Sequence, residues 1–178
     1  MIKIVRGDIT QQITAAIVNA ANTHLIAGSG VCGAIHRVAG PNLERDCRKI
    51  GECPVGEARI TAAYDLPCEH VIHAVAPRYW DGTRGEPELL MRCYQSIFEL
   101  TAEHGIDSVS IPAIGTGIYR YPIEEATEIA FYANSSICPM SADVRQPNSL
   151  GALKDRLSAY PVTVSSLICG FETAGQGS

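Results

Sequence analysis

No apolar run in this sequence approaches the ~20 residues that a membrane-spanning helix requires. The amino-terminal MIKIVRGDI alternates like a strand instead of carrying a long apolar leader core, so a cytoplasmic protein with no membrane partner is expected. Basic charge is in deficit. Fourteen Lys and Arg against nineteen Asp and Glu leave a net charge of -5, which argues against general nucleic-acid binding through a basic surface. A local anion site remains open. Zinc-ligand spacing is also missing: the seven cysteines are scattered, and Cys47 and Cys53, close in sequence, are separated by five residues. Reduced thiols, no metal and no cofactor are the expectation. The chain shows no internal repeat. At 178 residues, 46% apolar and 19% charged, it reads as one globular domain over 1–178, with a monomer expected.

What is present is concentrated between Ile17 and Gly40, IVNAANTHLIAGSGVCGAIHRVAG. An apolar strand ends near Asn19 and Asn22, a loop with Gly28, Gly30 and Gly33 follows, and an apolar-periodic segment runs through Ile35 and Val38. The order is strand, glycine-rich loop, helix. Glycines let the backbone approach a ligand and a helix N-terminus offers unpaired N–H groups, so a phosphate is forecast near Ser29 to Gly33. The asparagines would flank what the phosphate carries. Asn19, inside the strand, must find partners, either neighbouring backbone or a ligand.

Elsewhere Ile2 to Arg6 reads as a strand broken by Gly7-Asp8-Ile9-Thr10, where Asp8 is either a helix N-cap or a carboxylate accepting from a ligand. Ala16 to Ala20 is a buried strand. Pro41 opens a helix whose Leu43, Cys47 and Ile50 share one face. Strands follow at Glu57 to Ala63 and His70 to Ala76, with His73 read as a satisfied core histidine. Arg78 to Gly85, RYWDGTRG, is a loop that is either a lid or plain surface. The stripe Leu89, Leu90, Cys93, Ile97 and Leu100 predicts a helix over Glu86 to His104, ended by Gly105.

Ser108 to Ile111 is a strand that runs into a second glycine-bearing loop, Pro112 to Pro122, ahead of a helix from Ile123 to about Ala133. Ser135 to Ser149 lacks periodicity, Leu150 to Leu157 has a weak helical pattern, and Val162 to Cys169 predicts a terminal strand before a frayed Gly170 to Ser178. Strands alternate with helices, which implies a three-layer α/β/α sandwich with a central mixed, mostly parallel sheet. Ligands of such sheets sit beyond the carboxyl ends of the strands. The two glycine loops can meet there and hold a diphosphate.

Gly7-Asp8-Ile9, IVNAAN at 17–22, GAIHRVAG at 33–40, VIHAVAP at 71–77 and IPAIGTGIYRYP at 111–122 together resemble the macro domain family of ADP-ribose-binding modules and hydrolases. The resemblance covers about residues 1–134 and leaves 135–178 as a divergent carboxyl-terminal part. It implies that Asp8, with Ile9 beside it, holds the adenine amino group, and that Gly28, Ser29, Gly30 and Val31 line the diphosphate and distal ribose. Asn22 falls at that ribose. Gly115, Thr116, Gly117, Ile118 and Tyr119 match the loop whose amides wrap the diphosphate, Tyr119 packing on the distal ribose. Phe171 is the candidate for an aromatic after the last strand that stacks on adenine.

Cys32 departs from the family pattern, standing where similar hydrolytic members carry Asp. A thiolate at a helix N-terminus can act as a base, and His36 at i+4 can face it as a dyad; the alternative is a small apolar filler. The family associates hydrolysis with loops of this glycine-Val-Cys kind too. In a geometric scheme, water held by Asn22 and a phosphate oxygen attacks at the ribose with no protein base, Gly30 stays small and Tyr119 orients the ribose. Asn22, Gly30, Cys32 and Tyr119 are thus the catalytic candidates.

The expected activity is removal of ADP-ribose from acidic side chains of proteins, or deacetylation of O-acetyl-ADP-ribose. The alternative is a reader that binds ADP-ribose or ADP-ribosylated protein without turnover. Gly28, Gly30 and Gly33 also spell G-x-G-x-x-G, but they begin several residues past the strand, and no hydride-transfer site follows. A dehydrogenase is disfavoured.

Overall fold

The computed structural model describes residues 2–137 and 167–172. In chain order the elements are β1 (Ile2–Arg6), a 3-10 turn (Ile9–Gln11), β2 (Ala16–Ala20), α1 (Gly30–Ala39), α2 (Pro41–Ile50), β3 (Ala58–Ala62), β4 (His70–Ala74), α3 (Glu86–Glu103), β5 (Ser108–Pro112), α4 (Ile123–Ile137) and β6 (Leu167–Glu172). The described strands form one sheet in the order β1-β6-β5-β2-β4-β3. β2 pairs in parallel with β4 and with β5, β3 is antiparallel to β4, and β6 is antiparallel to both β1 and β5. β1, β2, β4 and β5 therefore point one way. The sheet is mixed, and parallel in the three central strands that matter for the site.

Helices cover both faces, as expected for strands apolar on both sides. On one face Ile17, Val71 and Val75 pack with Ile35 of α1 and with Leu43 and Cys47 of α2. On the other, Val18, Ile72 and Ala74 pack with Leu90, Cys93 and Ile97 of α3 and with Ala126 and Ala133 of α4. The alternation Ile17, Val18 and Val71, Ile72 is the period-2 pattern of strands that feed two cores at once. Leu43, Leu90 and Ile97 are fully buried, each worth about 1.5–3 kcal/mol of burial free energy.

The helix ends lie close to their sequence signals. Pro41 sits in the first turn of α2, and its carboxyl-terminal cap is Gly51 at φ 88°, whose N–H returns to the Cys47 carbonyl. Asp8 caps the 3-10 turn, its carboxylate accepting from Thr10 N at 2.9 Å and Thr10 Oγ1 at 2.8 Å. β4 stops at Ala74, not Ala76, and α4 continues past Ala133 to Ile137.

The carboxyl-terminal expectation needs correction. The strand is Leu167–Glu172, so Gly170, Phe171 and Glu172 are paired and not frayed. Gly170 faces Lys3 on one side and Ser110 on the other, and two-sided pairing overrides glycine's poor strand propensity. The expected start, residues 162–166, and the pattern at 150–157 lie outside the described residues.

Candidate functional site

Because β2, β4 and β5 run in parallel, their carboxyl ends open on one edge of the sheet, and the loops that follow them meet there. Together they enclose a cavity of roughly 250 Å³. Asn22, Gly28, Ser29, Gly30, Val31 and Cys32 line it from the first glycine loop. Gly115, Gly117, Ile118 and Tyr119 line it from the second. The floor consists of strand-end residues, among them Ala20, Ala74, Ala76 and Pro112. These were missed as site residues in the sequence; the available signal was small residues at the carboxyl ends of the strands, where a larger side chain would fill the cavity.

The first loop is shaped by its glycines in two different ways. A Cβ on Gly33 would lie 2.3 Å from the Gly28 carbonyl oxygen, so the helix start can approach the loop only without a side chain. Gly30 is instead fixed by its φ of +61°, and a Cβ there would meet no atom within 4 Å. Smallness at Gly30 is thus a conformational demand rather than a steric one in this structure. Ser29 precedes α1 in extended conformation and makes no capping hydrogen bond from its side chain. Gly30, Val31 and Cys32 of that first turn line the cavity, and the first N–H groups of an α-helix have no partner within the helix.

Asn22 organises the same loop. Its Nδ2 donates to the Ile26 carbonyl at 2.7 Å, and its Oδ1 accepts from the N–H of His24 at 3.2 Å and of Ile26 at 3.3 Å. One amide hydrogen remains for a ligand. In the second loop, hydrogen bonds from Arg120 N to the Gly117 carbonyl (2.9 Å) and from Tyr121 N to the Gly115 carbonyl (3.0 Å) close tight turns. Gly115 adopts φ +81°. Among the described residues, the N–H groups of Gly117, Ile118 and Tyr119 donate to no backbone carbonyl. Consecutive free amides of this kind form an anion-binding concavity. Thr116 is buried and donates to the Ala113 carbonyl at 2.8 Å, so it shapes the loop instead of lining the cavity.

Cys32 is buried, and its Sγ donates to the Ile26 carbonyl at 3.6 Å. Burial raises its pKa above the ordinary thiol value, against smaller opposing effects from Gly28 and the Asn19 amide. The thiol is neutral at physiological pH. Of the two readings of Cys32, the dyad is not formed: His36 is buried, and neither of its ring nitrogens has a hydrogen-bond partner. Helix position alone put the two on one face; desolvation outweighs the dipole at Cys32.

Beneath Cys32 lies a polar cluster. Asn19 Nδ2 donates to His73 Nδ1 at 3.1 Å and contacts Cys32 Sγ at 3.8 Å. His73 Nε2 then carries the ring proton and donates to Thr61 Oγ1 at 2.9 Å. The Asn19 amide nitrogen binds side chains instead of backbone, while His73 is the satisfied core histidine that was expected. Burial holds its pKa down at about 3, so it is neutral. Donor atoms of His36, Cys47 and His73 lie within 4.8 Å of one another, but both ring nitrogens of His73 are committed to Asn19 and Thr61. That commitment disfavours a metal there.

Asp8 and Ile9 follow β1, whose carboxyl-terminal Arg6 pairs with Leu167 while Pro112 of β5 pairs with Ile168, so they share the sheet edge of the glycine loops. Ile9 is buried in the core, and neither residue lines the cavity. Phe171 lies elsewhere. It sits within β6 opposite Ile2 and Val109, at the amino-terminal end of β5, because an antiparallel strand carries its last residues away from that edge. Phe171 thus lies inside β6 and does not follow the last strand.

A family model described as Macro domain matches residues 18–130. The macro domain-containing protein mll7730 of Mesorhizobium japonicum is 55% identical over 129 residues, 72% of this chain and 73% of that protein. A Pantoea vagans protein named O-acetyl-ADP-ribose deacetylase 1 is 51% identical over 133 residues, covering 72% of this chain and 78% of its own. Among solved structures, a variant of the Oceanobacillus iheyensis macrodomain with ADPR superposes with a TM-score of 0.74 at 36% identity, covering 87% of this chain and 90% of that one.

Proposed function

The chain belongs to the macro domain family, and from that premise we propose that it binds ADP-ribose and hydrolyses ADP-ribose esters, either on protein Glu and Asp or as O-acetyl-ADP-ribose. One observation carries the reading: two loops with unpaired backbone amides converge on a single cavity at the carboxyl ends of three parallel strands. A diphosphate placed between them is bound by N–H groups on both sides, with Asn22 at the adjoining ribose. The relatives named O-acetyl-ADP-ribose deacetylase and the ADP-ribose-bound neighbours support the ligand and the reaction class.

None of the lining residues carries an ionised side chain. With Cys32 neutral, no protein base stands at the ribose, so the chemistry rests on placement. A water held by the remaining N–H of Asn22 and a substrate phosphate oxygen attacks at the ester-bearing ribose carbon. The ribose–oxygen bond breaks, the carboxylate leaves, and the water's second proton passes to solvent. For O-acetyl-ADP-ribose the same water attacks the acetyl carbonyl, the acyl–oxygen bond breaks, acetate leaves, and of the water's two protons one passes to the ribose oxygen and the other to solvent. Tyr119 orients the ribose in both.

The missing base equally favours a second reading, a module that binds ADP-ribose without turnover. Release of ADP-ribose from a Glu/Asp-linked automodified protein, and of acetate from O-acetyl-ADP-ribose, separates the two. Turnover that is lost in Asn22→Ala supports the hydrolase. Binding with no release above the uncatalysed rate makes the protein a reader.

A further inference from the structure

The loop at residues 78–85 has no part in the chemistry above, yet it is a built structure. The carboxylate of buried Glu86 accepts the backbone N–H of Trp80 at 3.2 Å, of Asp81 at 3.5 Å and of Arg84 at 2.6 Å. Those bonds hold its carboxyl below the usual range despite burial. Tyr79 N donates to the Tyr119 carbonyl at 2.9 Å, which ties the loop to the second glycine loop. The Tyr79 ring packs edge-on against Tyr121, centroids 4.8 Å apart. What such a clamped loop exposes is fixed by its backbone.

It exposes two arginine–aromatic stacks. The Arg78 guanidinium lies 5.2 Å over the ring of Tyr119, a cavity-lining residue. Arg84 lies 5.4 Å over the ring of Trp80, a residue that is 68% exposed. Arg84 has Asp81 at 3.6 Å as a counter-charge, whereas Arg78 makes no ion pair among the described residues. Residues 78–86 carry two arginines and two carboxylates, and Glu125 accepts from the Tyr79 hydroxyl, so what the loop offers beside the cavity mouth is the guanidinium of Arg78, without an ion pair, and the exposed Trp80. Exposed Trp and Arg are the side chains that anchor protein interfaces.

Resting on the function proposed above, with Tyr119 at the linkage-bearing ribose, we propose that loop 78–85 recognises the acidic polypeptide segment that carries the ADP-ribose. The modified side chain leaves the cavity past Tyr119. Arg78 then meets a carboxylate flanking the modified residue, and Trp80 packs on the segment beside it. A guanidinium without an ion pair, continuous with the cavity through Tyr119, selects an acidic peptide over a neutral one.

The test uses the full chain and two synthetic peptides, each with ADP-ribose on one Glu, one flanked by Asp and Glu and the other by Asn and Gln. Affinities for both, and for free ADP-ribose, are measured by calorimetry. The wild type binds the acidic peptide up to about five-fold tighter at about 50 mM salt, as one exposed ion pair provides, and the preference fades at about 0.5 M. Arg78→Gln removes the preference while leaving affinity for free ADP-ribose within about two-fold. Trp80→Ala weakens both peptides equally. Equal wild-type affinity for the two peptides, with ADP-ribose binding intact, overturns this proposal alone. So does tighter binding of an ADP-ribosylated oligonucleotide than of the acidic peptide. Absence of ADP-ribose binding overturns the function beneath it.

Discussion

Gly33→Ala perturbs one contact whose consequence is calculable. The new methyl would sit 2.3 Å from the Gly28 carbonyl oxygen, a backbone atom that cannot rotate away like a side-chain tip. Restoring van der Waals separation requires the 28–30 loop and the start of α1 to part by about 1 Å, an overpacking that costs about 1–3 kcal/mol. For a chain of this size each kcal/mol lowers Tm by about 2–4 °C, so a fall of about 2–12 °C is expected in differential scanning calorimetry. Under the proposed function, the displaced loop is also the one that would present the first-turn amides of α1 to a diphosphate. Loss of one charge-assisted hydrogen bond there, about 1.5–3 kcal/mol, weakens ADP-ribose roughly ten- to hundred-fold. Gly51→Ala is the control: at φ +88°, with nothing within 4 Å of the added Cβ, it strains the backbone without touching the site. It should lower Tm by a few degrees and leave Kd unchanged. Equal Kd values for Gly33→Ala and the wild type would refute the assignment of this loop as the anion cradle.

Three further outcomes follow from the same geometry. Cys32→Ala should leave kcat/KM within about three-fold of wild type and the pH–rate profile unchanged between about pH 6 and 8, because a thiol raised by burial is not the base; a lost alkaline limb would restore the thiolate. Asn22→Ala should reduce kcat by an order of magnitude or more while raising the ADP-ribose Kd less, by roughly ten-fold or below, since Asn22 also braces Ile26. His73, held down at about 3, and His36, lowered by burial, both resist protonation in the fold, whereas the unfolded chain takes up protons below about pH 6.5. Stability is therefore complete above that pH and falls toward pH 3, at about 1.4 kcal/mol per pH unit from His73 alone; urea midpoints between pH 7 and 5 measure it, and a flat profile would contradict the buried neutral ring.

The parts of the fold legible in the sequence were those set by local pattern. Ala16–Ala20, Pro41–Ile50 and the α3 stripe declared themselves through apolar period and flanking Pro or Gly, and the two loops through glycines that must adopt left-handed φ or admit close backbone. The site's floor was not legible, because Ala20, Ala74 and Ala76 differ from core alanines only once strand direction is known. Cys32 illustrates a second limit. Helix position suggested a lowered thiol pKa, but the degree of burial, set by residues far along the chain, decides the sign. Asn19 and His73 pair across β2 and β4 in register, a contact invisible at a separation of 54 residues. The place of Phe171 inside β6 was not legible for a topological reason: a terminal strand can run either way, and its direction determines which end of the sheet its last residues reach.

Calorimetric titration of ADP-ribose into the full chain, beside AMP and ribose 5-phosphate, tests the central claim most directly. Two amide-lined loops around one cavity predict a single saturable site for ADP-ribose, with each half-ligand weaker by at least about ten-fold because it engages only one loop. No heat of binding from ADP-ribose, or equal affinity for AMP, would contradict the account.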